Sequence, residues 1–195
     1  MISTTIQSGA RRRTLLGVVS LTLLISVITL IVQHAWATTS LTSEQATGQV
    51  HEGDEPSVYD EENPVVTQLD TELLAALREA ARVAEASGVE LRVNSGWRSP
   101  AYQERLLEEA VARYGSREEA ARWVATPETS AHVAGDAVDI GPYAAAEWLG
   151  RHGAAYGLCQ IYANEPWHFE FRESAPTAGC PQMYADASHD PRLHA

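Results

Sequence analysis

The chain has 195 residues, 45% of them hydrophobic, which is enough for one domain with a buried core. Its formal net charge is −12 at pH 7, and the sequence contains no lysine. Because binding to a nucleic-acid backbone requires a basic surface, this composition excludes nucleic acid from the expected partners. We expect the chain to act as a monomer.

The N-terminal segment, residues 1–37, has the pattern of a membrane anchor or a secretory signal. Three arginines at 11–13 precede an uncharged apolar run at 15–32. The length of this run favours a retained transmembrane anchor, whereas the small residues at 35–37 (Ala-Trp-Ala) favour signal cleavage, so both interpretations stay open. In either case, we expect the rest of the chain to lie outside the cytoplasm, anchored to the membrane or secreted.

Composition divides the rest of the chain into three parts. Residues 38–69 are polar, acidic and poor in aliphatic side chains, which predicts a disordered linker. Residues 70–174 show regular hydrophobic periodicity and form the predicted domain. The tail, 175–195, contains Cys180. Because the compartment outside the cytoplasm is oxidising, we expect Cys180 to form a disulfide with Cys159 and to tie the tail to the domain.

Helices and short strands alternate in the predicted domain. Apolar residues at helical spacing begin after the capping residue Asp70 and end before Gly88, and a second helix begins at Ser99 and Pro100. Alternating patterns predict strands near 89–94, 136–140, 158–163 and 167–171. The connections are short, so the sequence predicts an α+β domain with a small, mostly antiparallel sheet and flanking helices.

Three residues have the side chains of a catalytic zinc site. His132, Asp139 and His168 offer two imidazole nitrogens and a carboxylate, which leaves the fourth position of a tetrahedral zinc ion open to water. The alternation of the strands places Asp139 and His168 opposite the apolar faces, and Gly135 allows the turn by which His132 and Asp139 converge. The sequence therefore predicts a zinc ion that activates water.

Other residues could serve the chemistry around such an ion. Glu165 is the candidate base that accepts a proton from water, and Arg98 is the candidate cation that stabilises the tetrahedral intermediate of amide hydrolysis. Gln103 is a candidate polar contact to the substrate, and Trp167 a candidate pocket wall. Each of the last three has a structural alternative: a surface ion pair for Arg98, an exposed helix position for Gln103 and the core for Trp167.

Three sequence blocks resemble a known peptidase family. They are SGWRSPAYQ at 95–103, SAHVAGDAVDIG at 130–141 and EPWHFEF at 165–171. In this order they are similar to the VanY-type zinc D-alanyl-D-alanine carboxypeptidases of peptidase family M15. The resemblance covers about residues 70–172 and implies the Hedgehog/D,D-peptidase fold.

The resemblance also implies roles for individual residues. The positions that match the zinc ligands of the family are His132, Asp139 and His168. Glu165 matches the catalytic base and Arg98 the arginine that stabilises the transition state. Ser130 matches the start of the second block, where a hydrogen bond would orient a ligand.

The implied function is zinc-dependent removal of the terminal D-Ala from peptidoglycan stem peptides that end in D-Ala-D-Ala. One alternative is a peptidoglycan endopeptidase or a D,D-dipeptidase of the same fold. The other is a non-catalytic, zinc-stabilised module that binds the cell wall. A pocket closed behind the scissile bond favours the carboxypeptidase and an open groove favours the endopeptidase, whereas a missing base favours the binding module.

Overall fold

The computed structural model describes residues 47–194, which fold around a four-stranded sheet. The predicted signal or anchor, 1–37, and its apolar run at 15–32 lie outside the described residues. Within 47–194, no helix combines the length and the apolar character that crossing a membrane requires.

The sheet is antiparallel throughout. Its strands are β1 (Arg92–Ser95), β2 (Ala137–Gly141), β3 (Leu158–Gln160) and β4 (His168–Phe171). They lie in the order β1-β2-β4-β3, and every neighbouring pair runs antiparallel. The predicted α+β class with a small antiparallel sheet is therefore confirmed, although β1 begins a few residues later than the alternation of apolar residues indicated.

Short and medium-length helices surround this sheet in the described part of the chain. They are α1 (Pro64–Thr67), α2 (Thr71–Ala86), α3 (Pro100–Tyr114), α4 (Arg117–Ala120), α5 (Ala131–Ala134), α6 (Tyr143–His152) and α7 (Ala175–Ala178). Three 3-10 turns add to them, at Gly153–Tyr156, Ala187–His189 and Pro191–His194.

Side-chain caps set the start of the two longest helices. The Asp70 carboxylate accepts hydrogen bonds from the backbone N–H groups of Glu72 and Leu73, at 2.9 and 3.1 Å, and so begins α2. The Ser99 hydroxyl accepts from the N–H of Tyr102 at 3.2 Å and begins α3. Both starts agree with the capping residues that the sequence indicated.

The main core lies between α2 and one face of the sheet. Leu73 and Leu77 of α2 belong to the same buried cluster as Val138 and Ile140 of β2 and Phe169 of β4. Because side chains alternate along a strand, the residues between these apolar positions point to the opposite face. The candidate metal ligands of β2 and β4 therefore lie on the face of the sheet away from α2.

The prediction of a disordered linker over 38–69 is wrong for its last part, residues 56–69. Val65 and Val66 are fully buried in the main core and form part of α1. The carbonyl of Pro56 accepts a hydrogen bond from the N–H of Val93 at 3.0 Å, so this segment also extends along β1. The average composition is polar, but its few apolar side chains are buried, and this burial holds the segment in place.

The predicted disulfide is present and holds the tail against the domain. Cys159 of β3 and Cys180 are bonded, with their Cα atoms 5.5 Å apart. Backbone hydrogen bonds continue the attachment, because Tyr184 donates to the carbonyl of Ile161 at 3.0 Å and accepts from the N–H of Ala163 at 2.9 Å. The tail therefore lies along the segment that follows β3.

The disulfide should contribute measurably to stability. It closes a loop between residues 21 positions apart, and restricting an unfolded loop of about this length stabilises a fold by about 3 kcal/mol. We expect Cys180→Ser to lower the free energy of unfolding in urea by about this amount. Reduced wild-type protein should show the same loss, and equal stability of all three samples would contradict the prediction.

Candidate metal centre

Three buried side chains converge on the face of the sheet away from α2. Asp139 of β2 lies directly opposite His168 of β4 in the strand register, and His132 approaches them from α5. Asp139 Oδ1 lies 3.2 Å from His168 Nδ1 and 3.4 Å from His132 Nε2, and the two nitrogens are 3.3 Å apart. We call these residues the metal trio.

The spacing of the metal trio fits a zinc ion. Nitrogen and oxygen ligands lie about 2.0–2.1 Å from zinc, so tetrahedral geometry places them about 3.3–3.4 Å from one another. The three measured separations, 3.2, 3.3 and 3.4 Å, agree with this triangle. The trio can therefore hold zinc with little rearrangement, with one coordination position left over.

Hydrogen bonds fix which nitrogen of each histidine faces the trio. His132 Nδ1 lies 2.8 Å from the carbonyl oxygen of Gly96, to which it donates, so Nε2 is left with a lone pair. His168 Nε2 lies 3.4 Å from Glu170 Oε1. When the proton of the His168 ring lies on Nε2, facing Glu170, the other nitrogen, Nδ1, is left with a lone pair that can bind a metal.

The charges around the trio favour a cation. Burial and the nearby Arg98 lower the pKa of His132, which keeps this ring neutral and able to bind a metal. Burial opposes a charge on His168, yet hydrogen bonds to Asp139 and Glu170 raise its pKa to about 9. These two carboxylates therefore create a potential at His168 that attracts positive charge, and a metal ion would experience the same attraction.

Arg98 is part of the site. Its guanidinium donates to Asp139 Oδ2 at 3.0 Å, to Ser95 Oγ at 2.7 Å and to Gln103 Oε1 at 3.2 Å. Gln103 is 1% exposed, which excludes the exposed helix position considered from sequence, and its amide donates to the carbonyl of Ala125 at 2.8 Å. The glutamine therefore fixes the arginine, and the arginine fixes Asp139.

Glu165 lies beside the trio with one carboxylate oxygen unused. Its Oε2 is 4.0 Å from His168 Nδ1, and its buried Oε1 has no hydrogen-bond partner among residues 47–194. Burial and the nearby Asp139 raise the pKa of Glu165 to about 7, against the opposing effect of His168. Such a carboxyl group can accept and release a proton near neutral pH.

The remaining two candidates lie at the edge of the site. Ser130 is buried and caps α5, where its hydroxyl accepts from the N–H of Val133 at 3.4 Å; it therefore supports the turn that carries His132. Trp167 is 37% exposed and precedes β4, so it lies outside the core and forms a cavity wall.

Two cavities meet at the metal trio. The smaller, about 50 Å³, is lined by both histidines of the trio together with Gln103 and Ser130. The larger, about 550 Å³, is bordered by the trio's aspartate and three partly exposed aromatic residues. Those three aromatic residues are Tyr114, Trp123 and Trp167. Arg98, Trp123 and Glu165 line both cavities, so a molecule that spans them would pass the candidate base.

Sequence reasoning missed part of the support behind His168. Glu170 lies two residues after His168 on the same strand and therefore shares its face, and this spacing was the available signal for a role. Arg192 and Asp190 gave no such signal, because they lie in the tail and reach the site only through the fold. Trp123 was missed as well, because only the fold brings the segment that follows α4 to the cavities beside the trio.

These features define a class of site. A buried trio of two histidines and one aspartate, bordered by two adjoining cavities, a carboxylate and an arginine, is typical of a catalytic metal centre. The sequence model of the VanY family, described as D-alanyl-D-alanine carboxypeptidase, matches residues 66–174, more than half of the chain. The chain therefore belongs to this family, and the resemblance seen in its three sequence blocks is confirmed.

A curated relative is similar over much of this region. The D-alanyl-D-alanine carboxypeptidase of Enterococcus faecalis (strain ATCC 700802 / V583) is 30% identical over 144 residues, which cover 60% of this chain and 54% of the relative. The chain thus spans about half the length of the curated relative that it matches.

Two solved structures share the fold. One is a glutamate-to-alanine mutant of the vancomycin resistance D,D-pentapeptidase VanY from a VanB-type cassette, in complex with Zn(II). It has a TM-score of 0.50 and 29% identity, covering 53% of this chain and 72% of that one. The other, the LdcB LD-carboxypeptidase, has a TM-score of 0.52 and 25% identity, covering 63% and 68%. The Zn(II) complex and the fit of the metal trio confirm zinc as the predicted cofactor.

Zinc should stabilise the folded chain through the trio. A ligand present at 100 times its Kd stabilises the native state by about 2.7 kcal/mol, which corresponds to a Tm increase of ~5–10 °C for a chain of this size. We expect this increase when zinc is added to metal-free wild-type protein, and none for His168→Ala. His152→Gln removes a histidine outside the trio and should keep the full increase. Equal increases in all three proteins would contradict the assignment.

Proposed function

We propose that the chain is a zinc-dependent D-alanyl-D-alanine carboxypeptidase that removes the terminal D-Ala of peptidoglycan stem peptides. The observation that carries this proposal is the buried Glu165 beside the metal trio, with one oxygen that has no partner among the described residues. Buried polar atoms are almost always paired, so an unpaired carboxylate oxygen at this position suits a group that takes a proton during the reaction. Membership of the VanY family supports the type of reaction.

In this proposal, the zinc ligands are His132 Nε2, Asp139 Oδ1 and His168 Nδ1. Zinc, when bound there, supplies a Lewis acid that polarises the scissile carbonyl and lowers the pKa of water. Glu165 accepts the proton of the attacking water and then donates it to the nitrogen of the leaving D-alanine. The Arg98 guanidinium stabilises the negative oxygen of the tetrahedral intermediate, and Gln103 keeps that guanidinium in position.

The unequal sizes of the two cavities support removal of a small terminal group. The smaller cavity, about 50 Å³, has room for a small terminal group, such as the methyl or carboxylate of one D-alanine. The larger cavity, about 550 Å³, has room for the rest of a stem peptide, and we call it the groove. An endopeptidase or a cross-bridge hydrolase would require a long groove on both sides of the trio, so these volumes favour the carboxypeptidase. A D,D-dipeptidase would leave most of the groove unfilled.

The similarity to LdcB raises a second candidate, an L,D-carboxypeptidase. The two activities differ in the configuration of the residue that precedes the scissile bond, and they share the zinc chemistry described above. The name D,D-pentapeptidase, carried by the VanY relative, supports the D,D specificity. The alternative of a non-catalytic cell-wall module predicts that the base is missing. Glu165 lies beside the trio, and this position counts against that alternative.

We propose that the protein works outside the cytoplasm as a monomer, held at the membrane by residues 1–37 or secreted after their cleavage. The disulfide between Cys159 and Cys180 supports this location, because such bonds persist in oxidising compartments. The proposed partner there is peptidoglycan whose stem peptides end in D-Ala-D-Ala.

Release of D-alanine from a muramyl pentapeptide tests the proposal directly. We expect release by the chain from Thr38 onward, its loss with a chelator and its recovery with zinc. Glu165→Gln should lower kcat by about 10²–10⁴-fold while the zinc content stays at the wild-type level. The matched control Glu118→Gln changes an exposed glutamate and should leave both unaltered.

Other outcomes of this experiment have defined meanings. Release from a tetrapeptide but not from the pentapeptide would assign the L,D activity. Bound zinc with cleavage of cross-linked peptidoglycan alone would assign the endopeptidase. Bound zinc without hydrolysis of any of these substrates would leave the binding module, and equal activity of Glu165→Gln and wild type would overturn the role of Glu165.

The aromatic groove should matter for long substrates only. Tyr114 is stacked on Trp123, with ring centroids 5.9 Å apart, and borders the groove but not the smaller cavity. Its side chain offers an apolar contact worth about 1 kcal/mol, so we expect Tyr114→Ala to raise KM for muramyl pentapeptide about fivefold and to change KM for a short acyl-D-Ala-D-Ala little. Steady-state kinetics with both substrates provide the measurement. Equal effects on both would show that the groove does not hold the rest of the peptide.

A further inference from the structure

The tail reaches the metal centre from outside the region that the VanY family model matches, which ends at residue 174. The Arg192 guanidinium donates to both oxygens of Glu170, from Nη1 to Oε2 at 2.7 Å and from Nη2 to Oε1 at 3.1 Å. Glu170 is 1% exposed and lies in the middle of the sheet, opposite Ala137 and Cys159. A two-point bond of this kind fixes the plane of the carboxylate as well as its position.

The oxygen that this bond fixes is the one that faces a trio histidine. Glu170 Oε1 lies 3.4 Å from His168 Nε2, on the side of the ring away from the other trio residues. A carboxylate at this place sets the tautomer and the orientation of a metal-binding imidazole. The chain of contacts therefore runs from Arg192 through Glu170 to His168.

A second path from the tail reaches the same imidazole. Asp190 is fully buried, and its two carboxylate oxygens share a bifurcated hydrogen bond from Arg192 Nε–H, each at 3.0 Å. It also accepts from the hydroxyl of Tyr162 at 3.0 Å, and the Tyr162 ring lies 5.0 Å from the His168 ring. The tail thus controls the neighbours of His168 both at Nε2 and beside the ring.

Without Arg192, Glu170 would have an alternative position. A cavity of about 500 Å³ borders Glu170 and Arg172, so the carboxylate has space to turn away from His168. Arg172 Nη2 already donates to Glu170 Oε2 and would draw the carboxylate in that direction. Loss of one partner from a buried ion pair is strongly unfavourable, which makes such a rearrangement expected.

We propose that Arg192 is a positioning residue of the metal centre: it fixes Glu170, and Glu170 directs His168 Nδ1 towards the metal. This inference rests on the proposed metal site and adds the tail to it. Arg192 itself does not line the cavity that contains the trio histidines. Arg192 therefore affects zinc affinity through Glu170, and it does so without contacting the substrate.

Zinc affinity of the full-length chain, measured by competition with a chromogenic chelator, tests this proposal. We expect Arg192→Gln to weaken zinc binding about 10–100-fold, the usual effect of losing an outer hydrogen-bond partner of a ligand. The visible spectrum of the cobalt-substituted protein should change as well, because the ring orientation changes. Arg192→Lys keeps the charge without the two-point bond and should recover only part of the affinity. Full recovery, or unchanged affinity in Arg192→Gln, would overturn the proposal.

A matched control separates this effect from loose attachment of the tail. Arg122 donates to Asp186 Oδ2 at 3.0 Å, so Arg122→Gln breaks another ion pair of the tail without touching Glu170. We expect wild-type zinc affinity and an unchanged cobalt spectrum for this variant. Equal weakening by Arg122→Gln and Arg192→Gln would assign the effect to general attachment and overturn the proposal.

A double-mutant cycle tests the order of the contacts. If Arg192 acts through Glu170, the double variant Glu170→Gln with Arg192→Gln should bind zinc no more weakly than Glu170→Gln alone. Additive losses would assign the effect to the second path, through Asp190 and Tyr162, and overturn the proposed path through Glu170. No substrate is needed, so the result is independent of hydrolysis: normal zinc results without D-alanine release would reject the proposed activity and leave the role of Arg192 intact.

Discussion

The antiparallel pairing of β2 with β4 is the constraint on which the site depends. Its register places Asp139 opposite His168, and it places their apolar neighbours Val138 and Phe169 on the other face. A slip of β4 by one residue would turn His168 into the core and Phe169 away from it, while Asp139 stayed in place. The burial of the core against α2 and the assembly of the metal trio are therefore selected by the same register, and neither can change alone.

The electrostatic balance of the trio explains how so many ionisable groups share one buried region. Burial alone would disfavour charges on Asp139, Glu170 and His168. Each carboxylate is instead paired with an arginine, Asp139 with Arg98 and Glu170 with Arg192. Glu165 has no arginine partner among the described residues, and its proposed role in proton transfer rests on this difference.

Local sequence patterns were sufficient for the parts of the structure that local physics determines. Caps such as Asp70, the helical periodicity after it and the strand alternation around Asp139 all gave the right elements, because each depends on neighbours a few residues away. The linker prediction failed because it used the average composition of 38–69, which is polar. Two apolar residues in this segment, Val65 and Val66, are fully buried. The contact between Arg192 and Glu170 could not be predicted either, since only the folded path of the tail brings them together.

The position of the disulfide has a consequence for when the metal centre matures. Cys159 lies opposite Glu170 in the register, and its partner Cys180 begins the segment that carries Arg192 to that same carboxylate. In a reducing cytoplasm the covalent tie is absent, and the segment has only its non-covalent contacts to keep it in place. Formation of the disulfide shortens the distance over which the arginine must find its carboxylate. Under the proposed role of Arg192, the redox state of the compartment therefore sets how firmly the chain retains its metal.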